Sequence, residues 1–182
     1  LDEWTVFGSN VAAQTQIVLN GTHSLKIFGE FNGQENFSGV FQGISVVEGM
    51  DITADASAFV RSQDTLFGKD NEVFMILEYF SVEGDSLGLI ELLIADGTTA
   101  EDAWLAHQIQ DTVPTGAVEA RISFSFRQLN NNNGAIHIDG VSLEAVLVGD
   151  LDGDGFVGIN DLNIVLANWN QNVPPGNPMA DP

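Results

Sequence analysis

The feature that most restricts the fold is a rhythm of short apolar or alternating runs, broken at intervals by Gly, Asn and Asp. The runs are Glu3–Phe7, Gln14–Leu19, Ser24–Phe28, Gly39–Val47, Ile52–Arg61, Glu72–Val82, Leu87–Ala95, Ala103–Gln110, Ala117–Gln128 and Ala135–Val146. A strand turns successive side chains to opposite faces, so alternation marks a ribbon with one side in a core. Many such runs with almost no helical periodicity predict an all-β chain, an antiparallel β-sandwich over residues 1–147. The one possible helical patch is Thr99–Ala106, and Asn130–Asn133, ending in Gly134, predicts a hairpin turn.

After Val146 the pattern changes. Asp150, Asp152, Asp154 and Asp161 stand at positions 1, 3, 5 and 12 of one loop, with Gly155 at position 6, where the backbone must turn sharply. Alternate residues then aim oxygens at one centre, and Phe156 at position 7 offers its carbonyl, the arrangement of a calcium loop. Four carboxylates this close repel one another without a cation, so the spacing predicts a Ca2+ site; a solvated acidic turn is the alternative. Ile159, Leu162, Leu166 and Trp169 follow at helical spacing, so a short amphipathic helix leaves the loop. Loop and helix together take up residues 148–171, and residues 172–182, rich in Pro and Asn, read as a tail or linker.

Charge narrows the partners. With 26 Asp and Glu against 5 Lys and Arg, the net charge is -21, which repels nucleic acid and anionic membranes. The chain has no cysteine, hence no disulfide framework and no thiol chemistry. No apolar run approaches the ~20 residues that span a bilayer, so no membrane insertion is expected. No charged-then-apolar leader opens at Leu1, and the chain reads as a mature exported product, secreted or held at the cell surface. Extracellular calcium modules work at affinities of ~0.1–1 mM, which suits that location.

Two resemblances sharpen these expectations. Gly149 to Gln171, with its Asp-x-Asp-x-Asp-Gly loop, position-12 Asp161 and exiting Leu-rich helix but no entering helix, resembles one half of a dockerin. That implies anchoring to a protein scaffold, and Asp181-Pro182 falls where a second loop would begin. The ordered set Gly21–Ile27, Ser38–Ile44, Val60-Arg61, Leu77–Phe80, Pro114–Ala117, Ala120–Phe126 and Gly134–Leu143 resembles jelly-roll carbohydrate-binding modules of the family 4, 9 and 22 type. Asp139 then matches a closing-strand residue that helps hold a structural calcium, though Gly140 stands where a second Asp is common. The resembling modules open with a strand that should have finished before Leu1. Its absence would leave an edge open to self-association by strand addition.

The same resemblance turns Met75, Leu77 and Tyr79 inward and puts Phe74, Ile76, Glu78 and Phe80 on the opposite, ligand-binding face. It gives that face Phe59, Arg61, Arg121, Ser123, Ser125, Arg127 and His137 as well, three of the five basic residues among them. Flat aromatics there would stack on the sugars of a polysaccharide or other glycan; contact with a protein is the alternative for so apolar a patch. Trp4 and Trp104 are expected in the core, and Trp169 against the helix. Catalysis is not expected: a glycosidase needs two carboxylates at a defined separation, and no Glu-x-Asp-x-x-Glu, Gly-x-Ser-x-Gly, phosphate loop or zinc signature occurs. The expected function is a non-catalytic, calcium-binding extracellular module that binds glycan and anchors to a scaffold. The competing expectation is a structural subunit of an extracellular fibre or surface layer, assembled through the sandwich and stabilised by calcium.

Overall fold

The computed structural model describes residues 3–169. Its strands are β1 (Thr5–Phe7), β2 (Val11–Gln14), β3 (Ser24–Phe28), β4 (Asn36–Ser45), β5 (Asp51–Phe59), β6 (Glu72–Phe80), β7 (Ser86–Ala95), β8 (Trp104–Thr112), β9 (Glu119–Gln128) and β10 (Ala135–Val146). A 3-10 turn, Ser62–Asp64, follows β5, and a helix, α1 (Ile159–Asn168), follows the acidic loop. The strands form two antiparallel sheets. The first runs β1-β4-β9-β6-β7 and the second β2-β3-β10-β5-β8. No described helix is long and apolar enough to cross a membrane.

Alternation explains the core. In the first sheet, β6 sends Val73, Met75, Leu77 and Tyr79 inward, and β9 sends Ala120, Ile122, Phe124 and Phe126. The second sheet contributes Ile136 and Ile138 from β10 and Ile52, Ala54, Ala56 and Ala58 from β5. Large side chains of one layer thus share the interior with a run of small ones from the other, which lets the layers approach closely. Each fully buried Leu, Ile or Phe contributes about 1.5–3 kcal/mol. At Gly39 a Cβ would overlap the Phe124 carbonyl oxygen and the Phe7 ring. Only glycine lets β1 lay Phe7 across β4 at that point.

Three expectations need correction. The strand expected over Gln14–Leu19 lies at Val11–Gln14 instead, because the Gln14 side chain ends it. Its Oε1 accepts from Gln16 N at 2.8 Å and Ile17 N at 3.1 Å, and its Nε2 donates to the Ile17 carbonyl. The Thr99–Ala106 patch is not helical: Asp96 and Thr99 cap a turn, and Trp104 already opens β8. The segment Asn130–Asn133 is an arch rather than a hairpin, since β9 belongs to one sheet and β10 to the other. Buried Asn71 holds it, donating to the Asn132 and Asn133 carbonyls at 3.2 and 3.0 Å, and Gln128 donates to Asn132 O at 2.7 Å.

The stretch from Thr5 to Gln14 supplies one outermost strand to each sheet. It is divided between the layers, β1 pairing with β4 (Thr5 opposite Phe41, Phe7 opposite Gly39) and β2 with β3 (Val11 opposite Ile27). β1 and β2 are therefore the edge strands at this end of the two sheets. The suggested second loop at Asp181-Pro182 lies outside the described residues.

Candidate functional site: an aromatic-guanidinium face and an acidic loop

Register decides which predicted residues meet. Across the outer face of the first sheet, Gly43, Arg121, Glu78 and Leu89 form one line of cross-strand neighbours. Phe41, Ser123, Ile76 and Glu91 form the next, and Gly39, Ser125, Phe74 and Leu93 the one after. Arg127 is flanked by Phe37 and Glu72. Glu78, Phe80, Arg121 and Arg127 therefore share a face, as expected. Phe59, Arg61 and His137 do not. β5 and β10 are strands of the second sheet, so Phe59 and His137 sit on the opposite side of the sandwich, with Arg61 just beyond β5. Alternation separates inside from outside within a strand, but it cannot say which sheet the strand joins.

The centre of the first face is a stack. The Arg121 guanidinium carbon lies 4.1 Å from the Phe80 ring centroid and 4.5 Å from that of Phe41. Glu119 fixes the guanidinium in plane, accepting from Nε at 3.1 Å and Nη2 at 3.0 Å. A cation against two ring faces gains from both ring quadrupoles, and Arg suits the position because its planar fork stacks while still donating sideways. Arg127 is held between Glu35 (2.7 Å) and Glu72 (3.1 Å). Leu89, Leu93 and Phe37 extend the face as exposed apolar side chains. Phe41, Leu89 and Leu93 escaped sequence reasoning. β7 is apolar on both faces, with Ile90 and Leu92 packed on the core, so its outward leucines carry no distinguishing pattern.

His137 has a different job. It is 3% exposed and edge-on to Phe59, their ring centroids 6.3 Å apart, and neither ring nitrogen has a hydrogen-bond partner. Burial pushes its pKa down to about 4, helped by the Lys26 and Arg61 charges and partly opposed by Asp64. It is a buried ring, neutral at pH 7, on the sheet away from Phe80 and Arg121. Phe59 also stacks on Trp104 at 5.2 Å on this outer face, so Trp104 lies outside the core where it was expected. Trp4 bridges instead: half-buried, it tilts against core Phe124 with centroids 6.0 Å apart.

The acidic loop brings together oxygens of Asp150, Asp152 and Asp154, all within 4.8 Å of one another. The chain builds this locally. Asp150 accepts from Gly153, Asp154 and Gly155 amides, Asp152 from Asp154, and Asp154 from Phe156. Gly155 takes the left-handed turn expected at position 6, with φ 85°. These three hard oxygens fit a divalent metal ion. Asp161 is used otherwise: it accepts from Leu151 N at 2.7 Å and Asp152 N at 3.3 Å through one oxygen, and from Gly158 N at 2.6 Å through the other. These amides, Gly158 foremost, hold its pKa below the usual carboxylate range. It thereby ties the start of α1 to the loop, and among the described residues it stands outside the three-carboxylate group.

Asp139 lies apart from this group, on β10. Its carboxylate accepts from Leu19 N (2.7 Å), Asn20 N (3.1 Å) and Gly140 N (2.7 Å), clamping the β2–β3 loop onto β10. Beyond the acidic loop, α1 turns Ile159, Leu162 and Leu166 to solvent, and Trp169 at its end is exposed rather than packed.

The sequence matches no protein-family model, and among curated proteins no significant match is found. Solved structures are more informative. The enzymatically active domain of tailspike protein 4 from bacteriophage CBA120 superposes with a TM-score of 0.57 at 17% identity, over 80% of this chain and 20% of that one. A carbohydrate-binding module described as a promiscuous member of the β-sandwich superfamily gives 0.56 at 14% identity, over 79% and 58%. The CBM22-2 xylan-binding domain from Paenibacillus barcinonensis gives 0.55 at 18% identity, over 80% and 93%. The chain thus spans about a fifth of the first of these and less than two thirds of the second. What such likeness establishes is the fold, a two-sheet jelly-roll sandwich of the kind built by carbohydrate-binding modules.

Proposed function

We propose that this chain is a non-catalytic extracellular module that binds a glycan on the outer face of the first sheet and carries Ca2+ in the Asp150–Asp154 loop. The observation that carries the glycan reading is the Phe41, Arg121 and Phe80 stack, in which a guanidinium lies between two rings and is steered by Glu119. Sugar rings present C–H faces that pack on flat aromatic or guanidinium surfaces, and hydroxyls that hydrogen-bond at their rims. Glu78 and Ser123 beside the stack supply rim partners. Similar solved structures that are carbohydrate-binding modules support the same reading, one of them a xylan-binding domain.

The test is calorimetric titration with xylo-oligosaccharides and a panel of soluble β-glucans and galactans. Phe80→Ala and Arg121→Ala should each weaken binding at least about tenfold, the ~1.4 kcal/mol that loss of one good contact represents, with far-UV dichroism unchanged. Binding indifferent to both substitutions would remove the face from consideration.

A second reading rests on exposed apolar side chains. Leu89 and Leu93 on that face, and Ile159, Leu162 and Leu166 on α1, are all at least 45% exposed, and such patches mark protein contacts. On this reading the α1 face anchors the module to a scaffold protein, or the sandwich packs against copies of itself in a fibre. Sedimentation with calcium and then with EDTA separates the cases: a fibre subunit runs as assemblies that the chelator loosens, a dispersed binder as monomer in both.

A further inference from the structure

We propose a second sugar site, separate from the aromatic face: a cleft between the two sheets at their β1 and β2 edges, shaped for one neutral sugar residue or chain end. This goes beyond the function proposed above. The cleft measures about 570 Å3, within the range of small-molecule sites. It exists because the stretch from Thr5 to Gln14 is divided between the two layers. β1 covers β4 only opposite Gly39–Phe41, and β2 covers β3 on the other layer, so the sheets gape between them where Gln42 and Leu25 face the gap.

Its walls have the chemistry of sugar recognition. Trp4, anchored on core Phe124, presents a flat apolar surface, and Leu25 continues it on the other layer. Around them stand hydrogen-bonding groups with capacity to spare. The Trp4 indole N–H, the Gln42 side-chain amide and the Glu3 carboxylate make no hydrogen bond within the described residues. His23 is held through Nδ1 by Thr22 Oγ1 at 2.8 Å, which leaves Nε2 for a ligand. A hydroxyl-rich ring satisfies such a set, because every hydroxyl both donates and accepts. Asp139 also lines the cleft, but its oxygens are taken by three backbone amides. With Glu3 and Asp139 on the walls and a chain charge of -21, an anionic sugar is repelled. The ligand class is therefore a neutral hexose or pentose, not a uronic acid.

Saturation-transfer NMR on the full chain tests this with glucose, galactose, mannose, xylose and galacturonate, each titrated to about 50 mM, enough for the millimolar affinities a single sugar gives. At least one neutral sugar should show transfer, with galacturonate at least tenfold weaker. Gln42→Ala and His23→Ala should each weaken the neutral sugar at least about threefold, while Phe80→Ala leaves it unchanged. Trp4→Phe, which keeps a ring on Phe124, should also weaken it. No transfer from any neutral sugar would overturn the proposal. So would binding lost with Phe80→Ala but kept in Gln42→Ala, which would place the sugar on the other face. The glycan face is judged by oligosaccharide titration of Phe80→Ala, so either site can fail without the other.

Discussion

At the scale of single residues the plainest consequence concerns His137. The folded protein holds this ring neutral, with a pKa of about 4, while the unfolded chain takes up a proton near 6.5. The unfolded state thus binds more protons between those values, so stability falls as pH drops through that window and is fully present above it. The loss reaches about 3 kcal/mol once both states are protonated, and it stops growing below about pH 4. Lys26 and Arg61 make a positive ring there costlier, and Asp64 is committed to Lys26 at 2.5 Å. His137→Gln should therefore flatten the decline in urea-derived stability between pH 6.5 and pH 4 relative to the parent chain. Parallel curves would show that this ring is not what titrates. The sequence resemblance put His137 on the ligand face, and its isolation was not legible: the apolar and cationic neighbours that silence it come from β3, β5 and the turn beyond β5.

At the scale of elements, the acidic loop and α1 behave as one piece. Asp161 belongs to the first turn of the helix and accepts three amides from the loop and helix start, so it transmits any ordering of the loop into α1. Calcium should raise amide protection at Leu151, Gly158 and the α1 residues measured by hydrogen exchange. Asp161→Ala should abolish that gain and weaken calcium about tenfold or more, the usual effect of removing a group that orients metal ligands. An isotherm unchanged by the substitution would confine the metal to Asp150, Asp152 and Asp154 alone. The loop was readable because its geometry is local, each carboxylate bonding amides two to five residues away. Asp161 resembled a ligand by position, yet the amides of Leu151, Asp152 and Gly158 reach its oxygens.

For the whole molecule, the two layers are joined where the chain changes sheets, and the Asn130–Asn133 arch is such a joint. It cannot use ladder hydrogen bonds, so Asn71 and Gln128 supply them from the first-sheet side. Asn71 is fully buried, and Asn71→Ala leaves the Asn133 carbonyl short of a donor while Asn132 keeps Gln128, a cost of about 1–3 kcal/mol. A midpoint shift in urea with an unchanged slope would report this, and an unshifted midpoint would mean that other groups satisfy the arch. Charge acts at this scale too. Against 26 acidic residues, three of the five basic ones are bound in ion pairs among the described residues, so the surface offers little to an anionic partner.

From the sequence alone came the properties that reside within a strand or a loop: where the strands run, which side chains alternate inward, and an acidic turn with its glycine. These follow from a period of two along an extended backbone and from bonds between near neighbours, both set before any strand finds a partner. Tertiary structure alone decided which strand lies beside which. That choice parted Phe59 and His137 from Phe80 and Arg121, brought Phe41 onto the guanidinium, and opened the cleft at Trp4. Pairing between distant strands depends on contacts that no single stretch contains, so no reading along the chain could have drawn those residues together.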